Sequence, residues 1–132
     1  MSPADRSPNL VAWQWGLYPR GHRARANLLM HAATVPLFWA GTVLVLAAPV
    51  VSWWTAPVGL LVMVSAFGAQ AGTHTLEGGR PVPFSGPFDV VARAFCEQWV
   101  NFPRYVLTGG FARAWREAAP GGQHPAPGTS RW

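Results

Sequence analysis

The sequence predicts an all-α integral membrane protein: a transmembrane helical hairpin with amphipathic interfacial helices beside it. Half of the 132 residues are hydrophobic and only 11% are charged, whereas a soluble domain typically carries about 25% charged residues. The stretch 26–76 contains no Asp, Glu, Lys or Arg. It is long enough for two helices of about twenty residues, the length that crosses the hydrocarbon core of a bilayer.

The bend of the hairpin is marked by a change in residue type. Pro49 and Pro57 interrupt the aliphatic run, and the pair Trp53–Trp54 lies between them. Proline disturbs a helix interior, and tryptophan is enriched at the two membrane–water interfaces. The predicted spanning helices therefore cover about 27–48 and 55–76, with the bend at one interface.

The rest of the chain is predicted to lie outside the bilayer core. Apolar residues recur every three or four positions after Pro87, which predicts an amphipathic helix over about 87–102. Pro, Gly, Ser and Thr dominate from 119 onward, a composition typical of disorder. We therefore predict one helical membrane domain over 1–118 and a disordered tail over 119–132.

Three residues of the predicted third helix need an interpretation. Arg93 and Glu97 share its polar face at i, i+4 spacing, so we interpret them as a surface ion pair. Glu97 as a further metal ligand or base is the alternative. Cys96 has mostly apolar neighbours, which favours a buried structural thiol over a nucleophile, and a single cysteine cannot form an intramolecular disulfide.

The distribution of charge predicts how the chain sits in the membrane. The net charge of +5 comes from arginine, since the chain has no lysine. Arginines precede the first apolar segment and follow the second, while the bend is uncharged. This is the positive-inside pattern, so both termini are predicted to be cytoplasmic. A nucleic-acid-binding protein would instead present a continuous basic stripe, and we predict no nucleic acid partner.

The polar residues of the hairpin predict a metal site. His31 and His74 lie 21 and 22 residues from Ser52 in the bend, so an antiparallel hairpin brings both imidazoles to one depth. His22 and Glu77 lie close to the same membrane face. Imidazole and carboxylate groups are good ligands for divalent iron, zinc and manganese. We therefore predict a metal site formed by His22, His31, His74 and Glu77.

Other interpretations of the same residues stay open at this point. Each histidine alone could simply hydrogen-bond headgroups or helix ends. The hairpin could be a non-catalytic assembly protein that packs through small residues such as Gly68 and Gly72, or a subunit that passes protons or metal ions. A lone hairpin buries little surface, so a homodimer is also considered.

Two motifs give the sequence a resemblance to a known family. The two motifs are Tyr18-(x3)-His22-(x4)-Asn27-(x3)-His31-(x4)-Pro36 and Gln70-(x3)-His74-(x2)-Glu77-Gly78-(x2)-Pro81. They resemble the Mpo1-like family, which includes 2-hydroxy fatty acid dioxygenases. The stretch Glu97-Gln98-Trp99 with Phe102-Pro103-Arg104 resembles a bacterial branch of that family.

The resemblance implies an Fe(II)-dependent membrane dioxygenase that shortens 2-hydroxy fatty acids by one carbon, with no organic cofactor. It implies His31, His74 and Glu77 as catalytic residues. Arg25 or Arg80 could hold the substrate carboxylate, because a guanidinium group binds a carboxylate through two parallel hydrogen bonds. The expected partners are a fatty acid or lipid substrate and the membrane, with the acyl chain along the small residues of the second helix.

Overall fold

The computed structural model describes residues 6–79 and 81–118, and these residues form helices without strands, which confirms the all-α part of the predicted fold class. The predicted disordered tail over 119–132 lies outside the described residues. The α-helices of the described part are α1 Leu10–Leu17, α2 Arg25–Ala47, α3 Thr55–Thr73, α4 Pro87–Cys96, α5 Phe102–Leu107 and α6 Gly110–Glu117. Two 3₁₀ turns, Tyr18–Gly21 and His74–Glu77, and a π turn, Glu97–Asn101, connect or extend them.

Helices α2 and α3 form the antiparallel hairpin on which the other elements pack. Arg25–Ala47 and the continuous segment Thr55–Glu77 each contain 23 residues and are long and apolar enough to span a membrane, by length and composition. The two helices approach closely at Gly41 and Gly59, where a Cβ on Gly59 would lie 2.5 Å from the Gly41 carbonyl oxygen. Gly78, at φ +70°, ends the segment in the left-handed conformation that favours glycine.

The amphipathic helix that follows runs without a break in the chain from α4 through the π turn into α5. The Phe102 N–H donates to the Glu97 carbonyl, five residues back. Pro103 has no N–H for the next carbonyl, that of Gln98. Trp39 Nε1 of α2 donates to this freed carbonyl instead, at 2.8 Å. The π turn is thereby fastened to the hairpin, and Gln98 is fully buried against it.

The predicted surface pair of Arg93 with Glu97 is replaced by a different arrangement. Arg93 lies 3.7 Å from Asp89, one turn earlier, and its guanidinium group covers the rings of Trp13 and Phe84. The two aromatic rings hold the guanidinium group on the α1 side of α4, while the π turn carries Glu97 toward the hairpin. Arg93 therefore attaches α4 to α1 and does not pair with Glu97.

Asp89 is expected to make the stability of this region depend on pH. Burial alone would raise its pKa, but hydrogen bonds from Arg6 and from the Ser85 N–H, with the charge of Arg93, lower it below the usual value. A lowered pKa means that the stabilisation is present above the unfolded-state pKa, about 3.9, and is lost as pH falls through the folded-state pKa.

Asp89→Asn should therefore destabilise the protein by about 2 kcal/mol at neutral pH and flatten the acid limb of its stability profile. Thermal unfolding in mild detergent between pH 3 and 7 measures both effects. Glu117→Gln, which removes an exposed carboxylate, is the matched control. An unchanged acid limb in Asp89→Asn would contradict the assignment.

Candidate metal centre

Three histidines and one glutamate converge at the end of the hairpin opposite its bend. Their ligand atoms all lie within 4.8 Å of one another. His22 follows the first 3₁₀ turn, His31 lies in the second turn of α2, His74 begins the 3₁₀ turn after α3, and Glu97 begins the π turn. Four separate elements thus contribute one ligand-type side chain each.

The Glu97 carboxylate lies among the three imidazoles. Its Oε1 atom is 3.0 Å from Nε2 of His31, 3.6 Å from Nε2 of His22 and 3.8 Å from Nε2 of His74. The three rings stand nearly perpendicular to one another, with centroids 4.6 to 5.2 Å apart. The same ring nitrogen of each histidine therefore faces one oxygen atom.

Hydrogen bonds to the backbone fix the tautomers of two of these histidines. Nδ1 of His22 lies 2.9 Å from the Tyr18 carbonyl oxygen, and Nδ1 of His31 lies 3.0 Å from that of Asn27. A carbonyl oxygen only accepts, so each Nδ1 carries a hydrogen and each neutral ring presents a lone pair at Nε2. The carboxylate of Glu97 also presents lone pairs. Two acceptors at 3.0 Å require a cation between them, either a proton or a metal ion.

The pKa shifts of His22 and Glu97 favour the protonation states in which these side chains bind metal ions. Burial lowers the pKa of His22, and this outweighs the opposing effect of the Glu97 carboxylate. Burial alone would raise the pKa of Glu97, but a proton shared with the Nε2 atoms of the three histidines holds that pKa well below the usual value. At neutral pH, His22 is therefore neutral and Glu97 is ionised, the states in which both bind metals.

The donor set and an orphaned atom both fit a metal ion. Nε2 of His22 is buried and has no hydrogen-bond partner within the described chain. Neutral imidazoles and a carboxylate suit divalent iron, zinc or manganese. Metal-bound histidines usually donate their other N–H to a carbonyl or carboxylate. His22 and His31 make hydrogen bonds of this kind through Nδ1. This group of residues could therefore hold a metal ion.

The site opens to the outside on the side of His74. The His74 side chain is 25% exposed, whereas those of His22 and His31 are 3% and 0% exposed. Tyr18 stacks on His22 with ring centroids 3.9 Å apart, and Phe102 stacks on His31. Of the three imidazoles, that of His74 is therefore the most exposed to the surroundings of the protein.

Glu77, the carboxylate predicted for this site, lies outside the group of four. It accepts hydrogen bonds from the N–H groups of Arg23 and Ala24 and from Nδ2 of Asn27, at 2.8, 3.1 and 2.7 Å. The physical reason is the start of α2. Ala24 occupies the N-cap position and has no side-chain cap. Glu77 binds the two N–H groups that lead into α2, and its negative charge lies at the positive N-terminal end of that helix.

Of the two arginines predicted to hold a substrate carboxylate, Arg25 is the one that the structure describes, and its contacts lie away from the centre. Nε of Arg25 donates to the Trp115 carbonyl at 3.3 Å, and its guanidinium group lies 5.1 Å from the Trp115 ring. These contacts direct Arg25 toward α6. Arg80 lies outside the described residues.

The sequence favours Glu97 as a ligand only in the alternative interpretation, because its i, i+4 spacing from Arg93 is typical of a surface pair. One feature of the sequence does favour Glu97 as a metal ligand over the surface-pair interpretation. Gln98 and Asn101 follow it in a helix otherwise patterned as amphipathic, and Pro103 comes soon after. Amides at inward positions before a helix-breaking proline indicate irregular, polar packing, and π turns occur frequently at functional sites.

A buried pair of amides lies beneath the centre. Gln70 and Gln98 exchange two hydrogen bonds, at 3.1 and 2.5 Å, and Nε2 of Gln70 also donates to Thr34. Gln70 lies one turn before His74, and Gln98 is adjacent to Glu97. The amides connect α2, α3 and the π turn close to the positions of His31, His74 and Glu97.

Comparisons with protein-family models, with curated proteins and with solved structures each found no match to this chain. A functional proposal therefore depends on the chemistry of the site and on the motifs in the sequence.

Proposed function

We propose that this protein is a membrane-bound, iron(II)-dependent dioxygenase that acts on 2-hydroxy fatty acids. The observation that supports the metal is the lone-pair arrangement: Nε2 of His22 and of His31 face the Glu97 carboxylate while both Nδ1 atoms donate to backbone carbonyls. The substrate class is supported by the resemblance to the Mpo1-like family, whose motifs contain the same three histidines.

We propose that α2 and α3 cross the bilayer, with the metal centre at its cytoplasmic interface. Large apolar side chains on both helices are exposed, Leu46 by 73% and Val64 by 69%, and lipid would cover them. The arginines outside the hairpin support a cytoplasmic location for both termini. A fatty acid in the same leaflet would reach the site from the membrane.

The residues of the site would have distinct roles in this reaction. When bound, iron would supply oxygen activation and a template for the substrate's hydroxyl and carboxylate groups. His22, His31, His74 and Glu97 would hold the ion, and the Tyr18 carbonyl would keep the Nε2 lone pair of His22 directed inward. A divalent ion with one carboxylate and three neutral imidazoles keeps a positive charge, which the substrate carboxylate would balance.

The proposed reaction balances without a further reductant. One 2-hydroxy acid and one O₂ give the acid one carbon shorter, carbon dioxide and water. The C1–C2 bond breaks, the 2-hydroxy carbon is oxidised to a carboxylate, and both oxygen atoms of O₂ are reduced. No organic cofactor is required for this stoichiometry.

Metal content is the direct test. The protein would be purified in mild detergent without oxygen, beside a His31→Ala/His74→Ala variant. The control is His124→Ala, which removes a histidine of the predicted tail over 119–132. We expect near-stoichiometric iron in the native chain and the control, and almost none in the double variant. Oxygen consumption with 2-hydroxy fatty acids, and not with unsubstituted ones, would follow. A folded native protein without metal would overturn the proposal.

A proton-handling subunit is the second candidate, because a proton could also bridge Nε2 of His31 and Glu97 at 3.0 Å. This candidate predicts proton movement in protein-containing vesicles and no oxygen consumption. The metal analysis separates the two, since proton handling does not need bound iron.

A further inference from the structure

We infer that Asn27 and Glu77 form a positioning pair that holds the three histidines in place for metal binding. This inference rests on the proposed metal centre. Neither residue contributes a ligand-type atom to the group of four. Their effect on the metal would be transmitted through the segments that carry His22, His31 and His74.

Asn27 connects to all three histidine-bearing segments. It is fully buried. Its Nδ2 atom donates to the carbonyl of Gly21, the residue before His22, at 2.8 Å. Its Oδ1 atom accepts from the hydroxyl of Thr73, the residue before His74, at 2.8 Å. Its own backbone carbonyl accepts from Nδ1 of His31.

Glu77 connects the end of α3 to the segment just before α2. It lies in the same 3₁₀ turn as His74 and accepts from the N–H groups of Arg23 and Ala24, directly after His22. A 3₁₀ turn has poorer hydrogen-bond geometry than an α-helix. The His74 turn is therefore anchored from outside, by the segment that carries His22.

Asn27 and Glu77 are also hydrogen-bonded to each other, with the amide as donor and the carboxylate as acceptor. Nδ2 of Asn27 donates to the Glu77 carboxylate at 2.7 Å. Asn27→Asp would place a second carboxylate oxygen there, and two like charges at this distance repel. The same substitution also removes the donor to the Gly21 carbonyl. The side chain keeps its size, so the change is in hydrogen bonding and charge.

The test measures metal affinity separately from stability. Co²⁺ and Fe²⁺ are titrated anaerobically against a competing chelator, and the visible spectrum of the cobalt-loaded protein is recorded. We expect Asn27→Asp and Glu77→Gln to bind about 10- to 100-fold more weakly, as changes behind metal ligands typically do, with an altered cobalt spectrum. Thr42→Val removes a hydrogen bond to the Phe38 carbonyl and should keep native affinity.

A double variant in which the amide and the carboxylate exchange positions, the swapped pair, distinguishes loss of this hydrogen bond from general damage to the fold. In the variant carrying both Asn27→Asp and Glu77→Gln, the new amide can donate to the new carboxylate, so we expect tighter cobalt binding than in Asn27→Asp alone. Native affinity and spectrum in both single variants, or no recovery in the swapped pair, would overturn the positioning role. A native protein that binds neither ion would overturn the metal centre itself.

Discussion

Replacing Glu97 with glutamine is expected to lower metal affinity by more than about 100-fold, beyond the range typical of changes behind the ligands. Glu97 carries the one carboxylate that the described chain places among the three imidazoles. An uncharged amide of nearly the same size loses the charge that offsets a divalent cation. Because the His22 and His31 lone pairs stay fixed by backbone carbonyls, the change isolates the contribution of the carboxylate.

Metal content after anaerobic purification, measured beside a chelator titration, tests this expectation. Glu117→Gln removes the same charge from an exposed position of α6 and should leave the metal content unchanged. Glu77→Gln should retain part of the affinity. Stoichiometric iron in Glu97→Gln, together with complete loss in Glu77→Gln, would restore the ligand set predicted from the sequence and contradict the geometry described above.

The sequence predicts Glu77 as the carboxylate of the site, whereas the structure places Glu97 among the histidines. This difference shows which parts of the site can be predicted from sequence. The equal depth of His31 and His74 depends on residue counting along two regular helices, and in the structure the two rings are 5.1 Å apart. Regular helices allow such counting because every residue adds the same rise. The all-helical class follows from the same regularity.

Glu77 and Glu97 lie where that regularity ends. Glu77 is three residues after His74, which in an α-helix would place both on one face, but the 3₁₀ turn directs it to the start of α2. Glu97 begins a π turn, so its direction is not that of the amphipathic face around it. The turn itself is stabilised by a tertiary contact, Trp39 with the Gln98 carbonyl, which no local pattern encodes.

Gly59→Leu is expected to disrupt the hairpin on which the site depends. A Cβ at Gly59 would lie 2.5 Å from the Gly41 carbonyl oxygen and 2.9 Å from side-chain atoms of Leu44 and Val45. A backbone oxygen cannot rotate away as a side chain can, so α2 and α3 would have to separate. We expect a loss of about 3 kcal/mol or more, at or above the upper end for overpacked cores.

Gly68→Leu is the control because it adds the same side chain to the same helix. Apart from the adjoining residues and backbone of its own helix, no atom of the described residues lies within 4 Å of a Cβ built at Gly68, so the thermal unfolding of Gly68→Leu in detergent should match that of the native protein. The assembly-protein interpretation predicts that Gly68→Leu is damaging as well, since it places Gly68 and Gly72 in the packing face. Equal damage from both substitutions would favour assembly, whereas loss in Gly59→Leu alone would assign the close helix contact to the hairpin itself.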